Sequence, residues 1–132
     1  MGIHLLDTDA VIDYLKGFAN SVAFIQGLHR RGETLAVCDI VIAEVYAGLH
    51  PQDRAKAAVL LNTLTFLPTT AAIAQQAGEW RYAFARQGIQ LATSDTLVAA
   101  TAYFHQATIV TANLKDYPMK EVTLLPLPRV KP

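Results

Sequence analysis

Ile3-His4-Leu5-Leu6-Asp7-Thr8-Asp9-Ala10-Val11 is the stretch on which the fold turns. A short apolar run stops on an acid. A run of this kind suits a strand covered on both faces, as in a parallel sheet. Ala10, Val11, Tyr14 and Leu15 then recur at helical spacing, and Gly17 stops that helix. Strand, acid, helix is the unit, and the chain repeats its alternation. A second helical pattern covers Val22 to Leu28, and Leu35 to Cys38 reads as the second strand. Asp39 is placed to cap a helix from Ile40 to Gly48 or Leu49. Pro51 opens another through Leu60 and Leu64, and Phe66-Leu67 forms a short strand. Thr69 or Thr70 caps a long Ala-rich helix reaching Arg86, with Gly88 at its end. Ser94 caps a helix from Asp95 to about His105. Thr108 to Thr111 is a β-branched strand, and Val122 to Leu125 an edge strand followed by Pro126, Pro128 and Pro132. Strands alternating with helices predict an α/β sandwich with a mostly parallel sheet.

The 132 residues fit one domain, 1–132, without a visible repeat or linker. Hydrophobic residues make up 52% and charged residues 17%, with mean hydropathy +0.26, which excludes a disordered chain. Eleven bases balance eleven acids, so bulk charge does not point to a polycationic nucleic-acid binder. One cysteine, Cys38, rules out an internal disulfide or a cysteine-rich zinc site and reads as a small buried hydrophobe. No apolar run reaches the ~20 residues of a membrane span, and the N-terminus lacks a signal-peptide pattern. A cytoplasmic setting is the expectation. The surplus hydrophobicity fits a surface covered by a partner or by self-association.

In parallel sheets, sites form beyond the carboxyl ends of the strands, near the topological switch point. Acids cluster at such places: Asp7 and Asp9 after the first strand, Asp95 at a helix start, and Asn113 and Asp116 after the fourth strand. Singly, Asp7, Asp9 and Asp95 are explained as helix caps or dipole partners, and Asp116 as a turn acid before Tyr117-Pro118. Glu44 resists that treatment. Ile40, Val41, Ala43, Val45 and Ala47 surround it, so the pattern predicts a carboxylate at risk of burial without a partner. Several carboxylates on one rim repel unless a cation lies between them, and an all-oxygen set favours Mg²⁺ or Mn²⁺. His4, His29, His50 and His105 show no ligand spacing. A bound divalent cation supports phosphodiester hydrolysis without a covalent nucleophile.

Leu5-Leu6-Asp7-Thr8-Asp9, Ala43-Glu44-Val45, Ser94 to Ala102, and Val110 to Tyr117 together resemble the PIN-domain family, and within it the VapC-type toxin ribonucleases. The likeness runs along essentially the whole chain. It implies a three-layer α/β/α sandwich, Mg²⁺- or Mn²⁺-dependent endoribonuclease activity, a homodimer and a cognate VapB-type antitoxin. Carried over by position, Asp7, Glu44, Asp95 and Asp116 would be catalytic and metal-holding acids. Thr8, Asp9, Asn113 and Lys115 would support them. Two positions depart from the pattern: Asp9 stands where many relatives carry Asn, and Ala112 where an Arg is common.

The remaining bases read as solvated surface charge. Lys115 is the exception, and Lys16 fits either a phosphate contact or a helix C-terminus. Two other functions were open at this level. Asp7-Thr8-Asp9 also resembles the first motif of haloacid-dehalogenase-like phosphatases, with Asp7 as nucleophile, but no late acidic pair follows and Glu44 is left without a role. A non-catalytic RNA- or protein-binding module is compatible with the fold. Setting aside Asp7, Asp9, Glu44, Asp95 and Asp116 leaves six acids against eleven bases. Neutral bulk charge therefore permits an acidic pocket in a mildly basic domain.

Overall fold

The computed structural model describes residues 2–129; Met1 and residues 130–132, including Lys131 and Pro132, lie outside the described residues. Five strands form one sheet in the order β3-β2-β1-β4-β5, and every neighbouring pair is parallel. The strands are β1 Ile3–Leu6, β2 Thr34–Cys38, β3 Thr65–Leu67, β4 Ala107–Thr111 and β5 Thr123–Pro126. Six helices connect them: α1 Thr8–Leu15, α2 Ala19–Arg30, α3 Asp39–Gly48, α4 Arg54–Leu61, α5 Ala71–Arg86 and α6 Thr93–Phe104. The chain steps outward from β1 to β2 and β3, then returns across the sheet to β4. Right-handed crossovers place the helices of those two journeys on opposite faces, which makes three layers.

The expected strands are present, and the sheet is fully rather than mostly parallel. Leu5, Leu6, Val37, Ile109 and Val110 are inaccessible or nearly so, as strands sandwiched between helix layers require. Each such side chain stabilises the fold by roughly 1.5–3 kcal/mol through burial. Cys38 is buried as expected, and burial pushes its thiol up to about 11.

Several boundaries differ from the sequence reading. Asp39 is the first residue of α3 rather than its cap; its Oδ1 accepts from the Ile40 amide and from Thr69 Oγ1 (2.6 Å), tying β2's end to the segment after β3. Ser94 does not cap α6, which begins at Thr93 behind Ala92, two residues earlier than expected, while Thr96 Oγ1 bonds back to the Ala92 and Thr93 carbonyls. The helix starting at Pro51 is a 3₁₀ turn before α4, and α4 ends at Leu61. Helix α2 starts at Ala19, three residues before the predicted periodicity. Thr70 caps α5 through the Ile73 amide, and Gly17 and Gly88 carry the positive φ that ends α1 and α5.

One tertiary tie was not foreseen. Asp13, 2% exposed in α1, receives a bidentate pair from Arg129, Nε to Oδ2 at 2.8 Å and Nη2 to Oδ1 at 3.0 Å. Ser21 Oγ stands 3.2 Å from both the same carboxylate and the Pro128 carbonyl and donates to the pair. The segment after β5 is thereby strapped to α1 and α2. Removing the cation strands a buried carboxylate, which costs more than removing both members. Arg129→Ala is expected to lower stability in urea unfolding by about 3 kcal/mol, and adding Asp13→Asn should recover part of it.

Candidate active site

The strand order reverses between β1 and β4, where crossovers leave in opposite directions and open a crevice at the carboxyl ends. Asp7 stands at that point. Its amide donates to the Val110 carbonyl at 3.0 Å, carrying the β1–β4 pairing one residue past the strand. Its carboxylate caps α1, Oδ1 accepting from the Thr8 amide at 2.9 Å. Oδ2 accepts from the Tyr117 hydroxyl at 2.7 Å, and both residues are buried. Burial and the neighbouring Asp7 carboxylate push the Tyr117 phenol far above its usual range, so it stays a donor. The sequence reading treated Tyr117 only as the end of a motif. Its bond to Asp7 spans 110 positions and leaves no local pattern.

Thr8 Oγ1 donates to Glu44 Oε1 at 2.6 Å, bringing α3 to the start of α1. Glu44 itself is exposed, contrary to the burial its neighbours suggested. Although α3 is apolar on nearly every side, it buries only Val41 and Val45, and Glu44 projects at the open edge. Asp95 lies in the first turn of α6, partly buried. Asp116 lies in a 3₁₀ turn, Leu114–Asp116, after β4. Burial, then the charges of Asp116, Asp7 and Glu44, pushes the Asp95 carboxyl up to about 6. Three of the predicted acids, from the end of β1, from α3 and from the segment after β4, thus act electrostatically on the fourth, Asp95 in α6.

Asp9 and Asn113 have a different task. Asp9 Oδ2 accepts from the Ala112 amide at 2.9 Å and from Asn113 Nδ2 at 3.0 Å. Thr111 Oγ1 accepts in turn from the Asn113 amide at 3.0 Å. The Asp9 carboxylate therefore clamps the chain just beyond β4 against α1. Its Oδ1 is buried without a hydrogen-bond partner, and burial together with Asp7 pushes its carboxyl up. Lys115 is exposed in the same turn, with no side-chain bond among the described residues.

The donor set fits a hard divalent cation: Asp7, Glu44 and Asp116 bring their charges to bear on Asp95, and all four side chains offer oxygen. Among the described residues no three acidic, His or Cys side chains have closed to ligand spacing, so the rim is an open arrangement rather than a finished cage. The phosphatase alternative gains nothing here. The Asp7 carboxylate is buried and anchored by two donors, and the Asp9 carboxylate is engaged on the β4 end.

The sequence pattern of the PIN domain matches residues 4–122. Ribonuclease VapC19 of Mycobacterium tuberculosis is 29% identical over 117 residues, which cover 87% of this chain and 92% of that protein. The crystal structure of VapBC2 from Rickettsia felis bound to a DNA fragment from their promoter contains a chain of the same fold. It has TM-score 0.83 and 24% identity, over 94% of this chain and 98% of that one. DNA-bound VapBC from Salmonella typhimurium gives TM-score 0.83 and 21% identity, over 97% of this chain and all (100%) of that one.

The raised Asp95 carboxyl has a thermodynamic consequence. The folded chain holds this proton more tightly than the unfolded chain, so this group's contribution to stability falls as pH rises from about 4 to about 6. In metal-free buffer, Asp95→Asn should raise Tm by several degrees near pH 8 and by little near pH 4, as measured by thermal unfolding followed by circular dichroism.

Proposed function

The chain belongs to the PIN domain family, and from that premise we propose that it is a metal-dependent endoribonuclease that hydrolyses RNA phosphodiesters, the toxin of a VapBC-type toxin–antitoxin pair. The observation that carries this reading is the convergence of Asp7, Glu44, Asp95 and Asp116 at the switch point, expressed in the raised Asp95 carboxyl. These four residues would hold Mg²⁺ or Mn²⁺. When bound, such a cation supplies positive charge that offsets their repulsion and the charge developing on the phosphoryl oxygens.

The chain's own groups divide the remaining work. Tyr117 and the Thr8 amide keep the Asp7 carboxylate in a single orientation. Thr8 Oγ1 aims Glu44 into the rim. The Asp95 carboxylate, in the first turn of α6, is placed to help orient the attacking water. Asp9 and Asn113 keep the segment carrying Asp116 in register with α1, as positioning residues. Lys115, exposed beside that segment, is placed to meet a substrate phosphate.

The partners follow from the same reading: an RNA substrate, a VapB-type antitoxin that occludes the acidic rim, and a second copy of this chain. Exposed apolar side chains such as Val59, 70% accessible, and Tyr82, 66% accessible, supply surface that association would cover. The reading is of a single nuclease domain acting in the cytoplasm; no helix among the described residues is long and apolar enough to cross a membrane.

Purified protein incubated with RNA should cleave it in the presence of Mg²⁺ or Mn²⁺ and not in EDTA. Asp7→Asn and Asp95→Asn should each reduce the cleavage rate by about 100-fold or more while the protein remains folded. Cleavage that persists in EDTA and in both variants overturns the mechanism.

A further inference from the structure

A groove of about 880 Å³ runs beside α1. Its walls include Ile12 and Lys16 of α1, Phe18 at the start of α2, Ala112 just past β4, and Leu127 and Arg129 after β5. Ala112, part of this wall, has its amide held by Asp9 at the edge of the acidic site.

One charge of this groove, Lys16, is not spent on the fold. The last carbonyl of α1, Leu15, accepts from Lys56 Nζ of α4 at 2.7 Å. Lys56 thus does what a cation at a helix C-terminus does, and Lys16 is released from that role. Lys16 Nζ instead stands 6.0 Å from the centroid of the Phe18 ring. Phe18 is 52% exposed, an aromatic face left in water beside a cation. The acid that lines the groove, Asp13, is buried and already paired with Arg129. Arg129 uses Nε and Nη2 for that pair, and its side chain stays 44% exposed. An exposed aromatic ring flanked by cations, opening onto a hydrolytic rim, matches what a single strand offers: base faces that stack and phosphates that need positive charge.

We propose that this groove is a subsite for single-stranded RNA, with a base stacked on Phe18 and the adjoining phosphate met by Lys16, leading the strand towards the acidic rim. The proposal rests on the nuclease reading above and adds the path by which substrate approaches. Charge complementarity distinguishes RNA from an apolar peptide as occupant, because a purely apolar ligand would leave Lys16 without a partner.

The test measures binding of a fluorescein-labelled, mixed-sequence single-stranded RNA in EDTA, and separately its cleavage with Mn²⁺. Phe18→Ala should weaken binding roughly ten-fold, with Phe18→Trp restoring it. Lys16→Ala should lower the salt dependence of log Kd by about 0.7, with Lys16→Arg restoring it. In cleavage, both Ala variants should raise KM more than they lower kcat. Thermal unfolding controls for folding, which these exposed positions should leave intact. Folded Ala variants that bind RNA like the parent at every salt concentration overturn the proposal, including the case in which they lose affinity for a peptide partner instead. Asp95-dependent cleavage by the parent upholds the nuclease reading whichever way the groove variants behave. A parent that neither binds nor cuts RNA overturns both.

Discussion

The parallel pairing of β1 with β4, sealed beyond its carboxyl end, is the constraint on which the rest of the molecule depends. The Asp7 amide on the Val110 carbonyl continues the ladder, and the Asp9 carboxylate clamps the chain past Thr111. Without this junction the two halves of the sheet would each end in a crossover with nothing to set them in register. With it, the start of α1, the turn bearing Asp116 and the Tyr117 hydroxyl are held within hydrogen-bonding reach of one another. The Asp9 oxygen left buried and unpartnered shows that the clamp is not free of cost. An amide at this position could offer one oxygen to the turn and a donor in place of the unmatched acceptor. Asp here keeps the clamp and adds a charge beside Asp7.

Burial, and after it the neighbouring carboxylates, pushes Asp95 up to about 6, which opposes folding at neutral pH. A fold built only for stability would disperse them or pair them with bases. None of Asp7, Glu44, Asp95 and Asp116 has an ion-pair partner among the described residues, whereas Asp13 is given a bidentate arginine. The contrast lies within one helix neighbourhood: the same chain neutralises a buried acid where it serves the fold and leaves acids unneutralised at the strand ends. Local conflict with stability, confined to a switch point, is the pattern of a site whose missing charge comes from a ligand.

The alternation of elements and the placement of the acids were legible because both depend on near neighbours. Apolar runs, Gly17 and Gly88, and Thr70 before α5 carry their own local signals. Asp39 and Ser94 were misread as caps for a related reason: an acid or hydroxyl near a helix start looks like a cap whether or not its side chain is drawn elsewhere. Asp39 is drawn to Thr69, thirty positions on, and the helix behind Ala92 begins without a side-chain cap. Glu44 was expected to be buried because its sequence neighbours are apolar, but burial belongs to the layer above a helix, and over this face there is none. Tyr117 with Asp7 and Arg129 with Asp13 join residues 110 and 116 positions apart. No periodicity encodes such pairs; they exist only once the sheet has brought the strand ends together.

The zero net charge of the chain conceals a separation that the fold makes explicit. Acids gather where β1, α3, α6 and the segment after β4 meet, and the groove running from Ala112 along α1 keeps Lys16 uncommitted. That freedom comes from a second lysine. Because Lys56 satisfies the Leu15 carbonyl from α4, the cation one residue further along α1 need not fold back onto its own helix. A polyanion approaching the acidic rim directly meets like charge, which a bound divalent cation can offset only locally. Under the proposed reading, Lys16 in the groove beside the rim would supply attraction that the rim lacks, so that recognition and hydrolysis would be divided between two adjoining surfaces. A chain with equal numbers of acids and bases can then bind RNA, provided the two kinds are sorted in space rather than in sequence.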